Sequence, residues 1–387
     1  MDATFTVAGL FAGIGGLELG LQRAGGHTEL LCECWAPAQL VLAEQWPETE
    51  LHSDVRTLAA LPSVDVVTAG FPCQDLSQAG RTAGITGANS SLVSHVFRLL
   101  KQAQPRWLVL ENVRNMLVLD KGRAMRYLID ELEGLGYRWA YRLVDSRSSG
   151  VPQRRQRVLL VASRTEDPRS VLMADEAGEL NPATFADTAH GFYWTEGLTG
   201  VGWAKDALPT LKGGSSVGIP SPPAAWVPSL PVGRQIITPI IEDAEALQGF
   251  PRGWTAPAQV DGKRNGPRWK LVGNAVTVGV SAWLGRRLSE PGEPITTGTP
   301  FDKSRWPTAA WGGAGRAWAS PLSMWPVQEP YSHLVDVLDL EQAVPLSHRA
   351  TAGFVSRAER STLRFDADFL VALKDHLRIK AAELGAA

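Results

Sequence analysis

The sequence predicts an α/β protein built on a doubly wound, mostly parallel sheet. Over residues 4–165, short runs rich in Val and Leu alternate with amphipathic stretches of helical length. Apolar strands separated by helices are typical of parallel sheets that are covered on both faces. From 166 to about 236 the alternation stops, and Gly, Pro, Thr and aromatic residues dominate. This composition indicates a loop-rich insert that contains β-structure.

Each element of the first region is identified by its own pattern. The predicted strands are TFTVAGLF (4–11), TELLCE (28–33), VDVVTAGF (64–71), RWLVLEN (106–112) and RVLLVAS (157–163). The predicted helices are LELGLQRAG (17–25), PAQLVLAEQW (37–46), SLVSHVFRLLKQA (91–103) and AMRYLIDELEGLG (124–136). The first and last of these helices end at glycines, which are favoured where a helix stops.

Order returns after the insert in two predicted helices, ITPIIEDAEALQGF (237–250) and KLVGNAVTVGVSAWLGRRL (270–288). A proline-rich break then precedes a tail with two more predicted helices, ATAGFVSRAERSTL (350–363) and ADFLVALKDHLRIKAAEL (367–384). The predicted domains are a main domain over 1–165 completed by the helix at 271–288, a smaller loop- and β-rich domain over 166–270, and a C-terminal extension over 290–387.

Composition narrows the class of protein. The 387 residues carry 38 basic and 40 acidic side chains, so an overall basic coat for nucleic acid is excluded, although a local basic face is not. Apolar runs are far shorter than the roughly 20 residues that span a membrane, and the N-terminus lacks the basic start of a signal peptide. Three cysteines are too few for a disulfide framework. These features predict a cytoplasmic protein.

A glycine-rich turn and two acidic residues indicate a nucleoside-bearing cofactor. FAGIGG (11–16) joins the first predicted strand to the first helix, where glycines let a ligand approach a helix N-terminus. The turn alone is a weak signal, because the full dinucleotide pattern GxGxxG is absent. Glu33, at the end of the second strand, is placed to accept two ribose hydroxyls. Asp54, after the next turn, is placed to accept from an adenine amino group.

Cys32 and Cys34, on either side of Glu33, have a second interpretation as zinc ligands. Structural zinc sites need four ligands, and the third cysteine of the chain belongs to another motif. We therefore expect no metal.

That third cysteine, Cys73, follows Pro72 in AGFPCQDLSQAG (69–80), at the carboxyl end of a predicted strand. Open α/β sheets place their active sites at such ends. A lone cysteine is most often a structural thiol, and Glu111 or the arginines of QRRQR (153–157) would each alone indicate a solvated surface. Together they supply a nucleophile, a proton-handling carboxyl and a charge stabiliser at one sheet edge.

In this arrangement the sequence resembles the DNA (cytosine-5)-methyltransferases of the bacterial restriction–modification type. The matching motifs, in family order over about residues 4–288, are FAGIGG, CE, SDV, GFPCQDLSQAG, ENV, PQRRQR, LQGFP and VGNAV. The resemblance implies the class I S-adenosylmethionine-dependent methyltransferase fold. It also implies S-adenosyl-L-methionine as methyl donor, S-adenosyl-L-homocysteine as product and a flipped-out cytosine in a specific short duplex sequence as substrate.

The resemblance carries roles to individual residues. Cys73 would attack carbon 6 of cytosine, and Glu111 would engage ring nitrogen 3 and the exocyclic amine. Arg155 and Arg157 would orient the base and stabilise charge. The cofactor pocket would be formed by Phe11, Gly13, Ile14, Gly15, Gly16, Glu33, Asp54, Val55, Pro72, Leu92, Asn274 and Ala275. DNA would be contacted by Gln74, Ser77, Arg81, Thr210 and Leu211. Where the family often has an adenine-stacking aromatic residue after Glu33, this chain has Cys34, with Trp35 next as a candidate replacement.

In this family the variable stretch after PQRRQR reads the DNA sequence, and residues 166 to about 236 occupy that place. Their aromatic segment GFYWTEG fits either a recognition surface or a small-domain core. In the tail, RATAGFVSRAERSTLRF fits a packed amphipathic helix pair better than a DNA contact. Basic residues that could line a DNA-backbone wall are Arg252, Lys263, Arg264, Arg268 and Lys270.

Two alternatives to the DNA enzyme stay open at this stage. One is a tRNA cytosine-5 methyltransferase, which shares the proline–cysteine nucleophile, and the other is a catalytically silent DNA-binding homologue. The expected partner is double-stranded DNA, and we expect a monomer. The sequence leaves open whether the protein has a cognate restriction endonuclease, as in a restriction–modification system, or is an orphan or phage methylase. The recognition sequence cannot be predicted, because side chain–base pairing depends on geometry.

Overall fold

The secondary structure is taken from a computed structural model that describes residues 4–72, 92–194, 200–211, 223–260 and 266–385. The strands in these residues are β1 (Phe5–Leu10), β2 (Gly26–Cys32), β3 (Glu50–His52), β4 (Val66–Ala69), β5 (Trp107–Val113), β6 (Arg138–Asp145), β7 (Gln153–Arg154), β8 (Gln156–Ser163), β9 (His190–Trp194), β10 (Val201–Lys205), β11 (Leu208–Pro209), β12 (Ala224–Trp226), β13 (Ile236–Thr238), β14 (Thr299–Pro300), β15 (Ala309–Gly313), β16 (Arg316–Ala319) and β17 (Val344–Pro345). The α-helices are α1 (Gly16–Arg23), α2 (Ala36–Gln45), α3 (Leu92–Gln102), α4 (Arg123–Gly134), α5 (Arg169–Leu172), α6 (Ile241–Leu247), α7 (Arg268–Asn274), α8 (Val278–Ser289), α9 (Leu334–Val337), α10 (His348–Arg360) and α11 (Ala367–Gly385).

Contacts divide the chain into two compact units. The first unit comprises Met1–Ser149, Gln156–Leu180 and Ala275–Glu329, and the second comprises Gly150–Arg155, Asn181–Asn274 and Pro330–Ala387. The residues of the predicted C-terminal extension are thus shared between the two units. The assignment of catalysis and target recognition to separate domains remains a prediction. Among the described residues, no helix is long and apolar enough to cross a membrane.

The first unit contains a ten-stranded sheet in the order β14-β16-β15-β6-β8-β5-β4-β1-β2-β3. The five strands from β5 to β3 in this order pair in parallel, whereas β8, β6, β15, β16 and β14 add antiparallel pairs at the other side. The parallel half therefore contains the strands that end in the glycine turn, in Glu33, in the Cys73 segment and in Glu111.

Two hydrophobic cores cover the two faces of this sheet. Successive residues of a strand point to opposite faces, and in β5 Leu108 and Leu110 join one core while Trp107 and Val109 join the other. Apolar residues of α3 and α4 pack in the first core, and those of α1 and α8 pack in the second. Helices on both faces confirm the predicted doubly wound α/β class.

Strand β6 is missing from the sequence-based prediction because it contains a buried charge. Arg142 is 0% exposed, and burial lowers the pKa of its guanidinium to about 10. The guanidinium donates to the carbonyls of Ser323 and Asp175 and forms an ion pair with Glu176 at 2.6 Å. Since buried charges are tolerated when they are paired and hydrogen-bonded, an arginine in this strand is compatible with a core position.

Two predicted helices begin or break differently from expectation. The predicted helix over 237–250 is wrong at its start, because the chain there forms β13 and only then α6. The predicted helix over 270–288 is wrong at its centre, because α7 ends at Asn274 and α8 begins at Val278. Thr277 between them is in an extended conformation, and its hydroxyl lies 2.7 Å from that of Ser146.

The second unit contains a five-stranded sheet in the order β10-β9-β12-β13-β17, with antiparallel pairs throughout. Its core is aromatic: Phe192 and Trp194 of β9 are 1% and 2% exposed. The core interpretation of GFYWTEG is therefore confirmed for these two residues.

Helices α10 and α11 of the tail complete that core. Phe369 of α11 is 0% exposed, and its ring centroid lies 4.9 Å from those of both Phe192 and Trp203. Phe354 of α10 packs edge-to-face on Phe192 at 5.1 Å. The expected packed helix pair is confirmed. It covers the aromatic face of the sheet, which the strands alone would leave exposed.

Replacing Phe369→Ala should lower the free energy of unfolding by about 3–5 kcal/mol, since a buried aromatic side chain is lost and a cavity is left. Leu384→Ala on the same helix is the matched control, because Leu384 is 64% exposed. Urea unfolding of both variants checks this, and equal losses would contradict the tail's role in the core.

Candidate active site

The turn between β1 and α1 requires glycine at two points. Gly13 and Gly15 have φ of 59° and 78°, in the left-handed region that favours glycine. A Cβ on Gly15 would lie 2.3 Å from ring carbons of Trp46, whereas a Cβ on Gly13 would have no atom within 4 Å. Phe11 also has a positive φ of 54°, an uncommon conformation for a non-glycine residue. Open space at Gly13 lets a ligand reach the backbone.

Glu33 is held rigidly beside this turn. Its Oε2 accepts from the backbone N–H of Gly13 at 2.9 Å, and its Oε1 accepts from that of Trp35 at 2.8 Å. The Gln39 side chain donates to the Glu33 carbonyl at 2.6 Å. Each carboxylate oxygen has further lone pairs, so the group can still accept from a diol. Trp35 is half-buried at the N-terminus of α2.

Asp54 forms a bidentate contact with Arg56, whose Nη2 lies 2.6 Å from Oδ2. This hydrogen bond lowers the pKa of the Asp54 carboxyl, so the group is an ionised acceptor at neutral pH. Val55 beside it is buried. Contact of Asp54 with an adenine amino group remains a prediction.

A second carboxyl, Glu18 of α1, is fully buried on the α1 side of the sheet. Its Oε1 accepts from the Thr68 hydroxyl of β4 at 2.8 Å. Burial raises its pKa to about 7, because it outweighs the hydrogen bonds, including that from Thr68, which lower the pKa. The sequence-based site prediction missed Glu18, because helix position alone does not distinguish a buried acid from a solvated one.

Glu18→Gln should change how stability depends on pH. Because the folded-state pKa of about 7 lies above the ordinary 4.5, the folded state holds more protons, and wild-type stability is lost as pH rises from 4.5 through 7. As the pH rises from 4.5 to 8, the free energy of unfolding of the variant should therefore increase by roughly 3 kcal/mol relative to that of wild type. Urea unfolding at the two pH values measures this. An unchanged difference between the proteins would contradict the buried, titrating carboxyl.

Glu111, at the end of β5, is 7% exposed and forms an ion pair with Arg157 of β8, Oε1 to Nε at 2.9 Å. A Cβ on Gly70 would lie 3.5 Å from Glu111 Oε2. The carboxyl therefore lies beside the segment that leads from β4 into Pro72 and Cys73, and the predicted approach of Glu111 and Arg157 is confirmed.

Asn112, the residue after Glu111, fixes the same segment. Its buried side chain donates to the Phe71 carbonyl at 3.0 Å, and its oxygen accepts from the Val113 amide at 2.9 Å. Asn112 was not among the predicted site residues, although the ENV motif that contains it was the available signal.

Asn112→Ala should destabilise the fold by about 1–3 kcal/mol, because the buried Phe71 carbonyl loses its side-chain donor. The methyl transfer that the resemblance implies should slow as well, since the chain next to Cys73 is released. Asn115→Ala, at an exposed position nearby, is the control. Thermal unfolding and an initial-rate assay compare the two variants, and indistinguishable behaviour would refute the positioning role.

Several predicted site residues lie outside the described residues. These are Cys73, Gln74, Ser77 and Arg81, and they fall within residues 73–91. Pro72 is exposed at the start of that gap, and Leu92 begins α3 after it. The roles of all six stay predictions.

In the second unit, Gln153 and Arg155 of PQRRQR anchor two other segments. Arg155 is 0% exposed and donates to the Gly273 carbonyl of α7 at 3.0 Å. Gln153 donates to the Leu247 carbonyl of α6 at 3.0 Å. The structure thus shows a structural contact for Arg155, and its role on the base stays a prediction. Asn274, at the end of α7, is exposed, whereas Ala275 belongs to the first unit and is buried.

Thr210 and Leu211 follow β11, which pairs in parallel with β7. The Thr210 hydroxyl donates to the Arg154 carbonyl at 3.0 Å, and Leu211 is 1% exposed. The threonine–leucine pair therefore contacts PQRRQR directly. Contact of either residue with DNA stays a prediction.

The expected basic wall is wrong at Arg268. This residue is 6% exposed, and its Nη2 contacts Glu242 at 3.0 Å and Glu245 at 3.1 Å. Two carboxylates thus neutralise a guanidinium that the sequence analysis placed on a DNA-facing surface. Arg252 is half-exposed and paired with Asp243 at 2.8 Å. Lys263 and Arg264 lie outside the described residues.

The described residues contain no group of three or more His, Cys, Asp or Glu that could hold a metal ion. Cys32 is buried, and burial raises the pKa of its thiol to about 12. Cys34 is exposed. A thiol that keeps its proton at neutral pH is a poor metal ligand.

The first unit fits a nucleoside-bearing cofactor. Gly13 leaves space over the turn, and Glu33 presents a fixed carboxylate within hydrogen-bond distance of the Gly13 amide. The Cys73 segment starts from the adjacent strand. A sheet edge with a cofactor turn and a nucleophile segment on neighbouring strands is suited to group transfer.

Comparison with known proteins agrees with this architecture. The fold is similar to that of the Entamoeba histolytica methyltransferase EhMeth, with a TM-score of 0.51 and 16% identity over 74% of this chain and 98% of that one. It is also similar to S. pombe Dnmt2, with a TM-score of 0.52 and 15% identity over 73% and 98%. The protein thus has the class I methyltransferase fold.

Sequence comparison defines the family. Residues 5–189 match the family described as C-5 cytosine-specific DNA methylase. The chain is 45% identical over 383 residues to the Type II methyltransferase M2.BsuMI of Bacillus subtilis (strain 168). This alignment covers 95% of this chain and 97% of the relative. The chain belongs to the C-5 cytosine-specific DNA methylase family, and it is a DNA (cytosine-5)-methyltransferase that uses S-adenosylmethionine. The predicted family is confirmed, and the two alternatives are not favoured.

Proposed function

We propose that the protein methylates carbon 5 of a flipped-out cytosine in one short duplex sequence, through a covalent bond to Cys73. The observation that carries this proposal is the Glu111–Arg157 ion pair at 2.9 Å beside the segment that Asn112 fixes before Cys73. The nucleophile, the carboxyl and the guanidinium would then follow or belong to three adjacent strands, β4, β5 and β8, at one edge of the ten-stranded sheet.

Each residue has a defined task in this reaction. The Cys73 thiolate adds to carbon 6 of the ring, while the Glu111 carboxyl donates a proton to ring nitrogen 3. The ring thereby becomes an enamine. Arg157 holds the Glu111 carboxyl in place. S-adenosylmethionine, when bound, supplies the electrophilic methyl group that carbon 5 accepts. Loss of the carbon 5 proton to a base and of the Cys73 thiolate then restores the aromatic ring.

The chain's own groups favour binding of that donor in the first unit. Glu33 would accept from the ribose hydroxyls, and the backbone at Gly13 and Gly15 would face the rest of the molecule. Phe11, Ile14, Gly16, Asp54, Val55, Pro72, Leu92 and Ala275 complete the proposed pocket. S-adenosylhomocysteine would be the product, and no step of the proposal requires a metal.

Extraction of the base is required because carbon 6 is inaccessible in a stacked duplex, and it costs a few kcal/mol. Gln74, Ser77 and Arg81 would fill or flank the gap, and Thr210 and Leu211 would help to hold the target strand. The second unit would read the sequence. We propose that the protein works as a monomer in the cytoplasm, where its DNA lies, and that a cognate endonuclease cleaves the unmethylated site.

Mapping 5-methylcytosine across the DNA of cells that express the protein tests this function. A single short motif modified throughout the genome would support it and would supply the recognition sequence. Absence of any modified motif, in cells whose protein still binds S-adenosylmethionine, would refute it.

Cys73→Ser should abolish methyl transfer, with a loss of at least a thousandfold, because a serine hydroxyl is far less acidic than a thiol and forms the nucleophilic anion poorly at neutral pH. The dissociation constant for S-adenosylmethionine, measured by calorimetry, should stay within threefold of wild type. A variant that retains its rate within a few-fold would disprove the nucleophile assignment.

A further inference from the structure

Glu18 is a fully buried acid for which the proposed reaction has no use. Its Oε1 accepts from the Thr68 hydroxyl at 2.8 Å, and its Oε2 has no hydrogen-bond partner among the described residues. Burying a carboxyl is unfavourable unless it is compensated. A side chain that served packing alone would be apolar here. The presence of a carboxyl therefore indicates that its hydrogen bond to Thr68 matters.

Gly9 creates the space that the carboxyl fills. A Cβ on Gly9 would lie 2.4 Å from Glu18 Oε1 and 3.0 Å from its carboxyl carbon. Gly9 of β1 and Thr68 of β4 are register partners in the parallel pair. The carboxyl therefore lies across two neighbouring strands, against the bare backbone of one and in a hydrogen bond to the other.

These three residues belong to the segments that build the site. Gly9 precedes the glycine turn by two residues, Glu18 follows that turn on α1, and Thr68 stands five residues before Cys73. The Glu18–Thr68 bond is thus a direct side-chain link between the helix that follows the cofactor turn and the strand that leads to the nucleophile.

We propose that Glu18 is a positioning residue for the nucleophile: by holding Thr68, it fixes β4 against α1 and so sets where Cys73 stands relative to the cofactor turn. This inference rests on the proposed function, in which Cys73 attacks the base. It assigns Glu18 no contact with either substrate.

The chain contains a matched control at the other end of the same two strands. There the Thr6 hydroxyl of β1 donates to Asp65 Oδ2 at 3.0 Å, just before β4 begins. Thr6→Val removes this bond and also the acceptor of the Asp65 amide at 3.0 Å, whereas Thr68→Val removes the bond between α1 and β4. Both substitutions remove a threonine–carboxylate bond in the first unit, but only Thr68 is near Cys73 in the chain.

The test uses a duplex that carries 5-fluoro-2′-deoxycytidine at the methylated position found by genome mapping. After methyl transfer to this ring, carbon 5 carries fluorine and no proton that a base could remove. The Cys73 thiolate therefore cannot be eliminated, the adduct is trapped, and its rate of formation can be followed by gel shift with S-adenosylmethionine present. Calorimetry gives the dissociation constant for the donor alone. Together these measurements separate placement of the nucleophile from cofactor binding and from folding.

Thr68→Val should slow adduct formation at least tenfold and leave the donor's dissociation constant within threefold of wild type. Thr68→Ser, which keeps the hydroxyl, should restore the rate to within threefold, and Thr6→Val should keep it within twofold. Glu18→Leu should reproduce the loss, whereas Glu18→Gln, which keeps an acceptor, should retain at least a third of the rate. If Thr68→Val does not fold, the comparison of Glu18→Leu with Glu18→Gln tests the inference.

Three results would overturn the inference: wild-type adduct rates in Thr68→Val and Glu18→Leu, failure of Thr68→Ser to rescue, or an equal loss in Thr6→Val. If the wild-type protein itself forms no adduct, the proposed function fails and the inference with it. Adduct formation by wild type with no effect of Thr68→Val refutes only the role of Glu18.

Discussion

The parallel pairing of β1 with β4 is the constraint on which the site depends. Gly9 pairs with Thr68 and Leu10 with Ala69, so the chain leaves both strands at the same edge. One exit becomes the glycine turn and the other becomes the segment that contains Cys73. Because β5 is the next parallel neighbour of β4, Glu111 reaches that edge as well.

Arg157 reaches the same edge for a different reason. It stands at the start of β8, and the start of a parallel strand would lie at the opposite edge of the sheet. Strand β8, however, runs antiparallel to β5, so that Arg157 pairs with Val113 at the carboxyl end of β5. The sequence analysis placed Arg157 beside Glu111 from the motif alone, and strand direction is the physical reason that this was right.

Short apolar runs and glycine stops were sufficient to predict the cofactor turn and four of the five strands in the parallel half of the sheet, whereas the three-residue strand β3 was missed. They failed where charge is buried: Arg142 hid strand β6, and Arg268 was assigned to a surface although Glu242 and Glu245 neutralise it inside the second unit. A residue's letter does not reveal its partners, which are distant in sequence. The link from Glu18 to Thr68, 50 positions apart, escaped for the same reason.

The tail shows how such distant partners decide the limits of a folding unit. Phe192 of β9 and Trp226 of β12 lie on the face of the sheet that Phe369 of α11 covers. A long stretch of chain separates these strands from α11. Loop-closure entropy grows only slowly with length, so a distant helix can complete the core at modest cost, provided that the aromatic burial exceeds it. The core of the unit to which we assign sequence recognition is therefore completed only when helix α11 is in place.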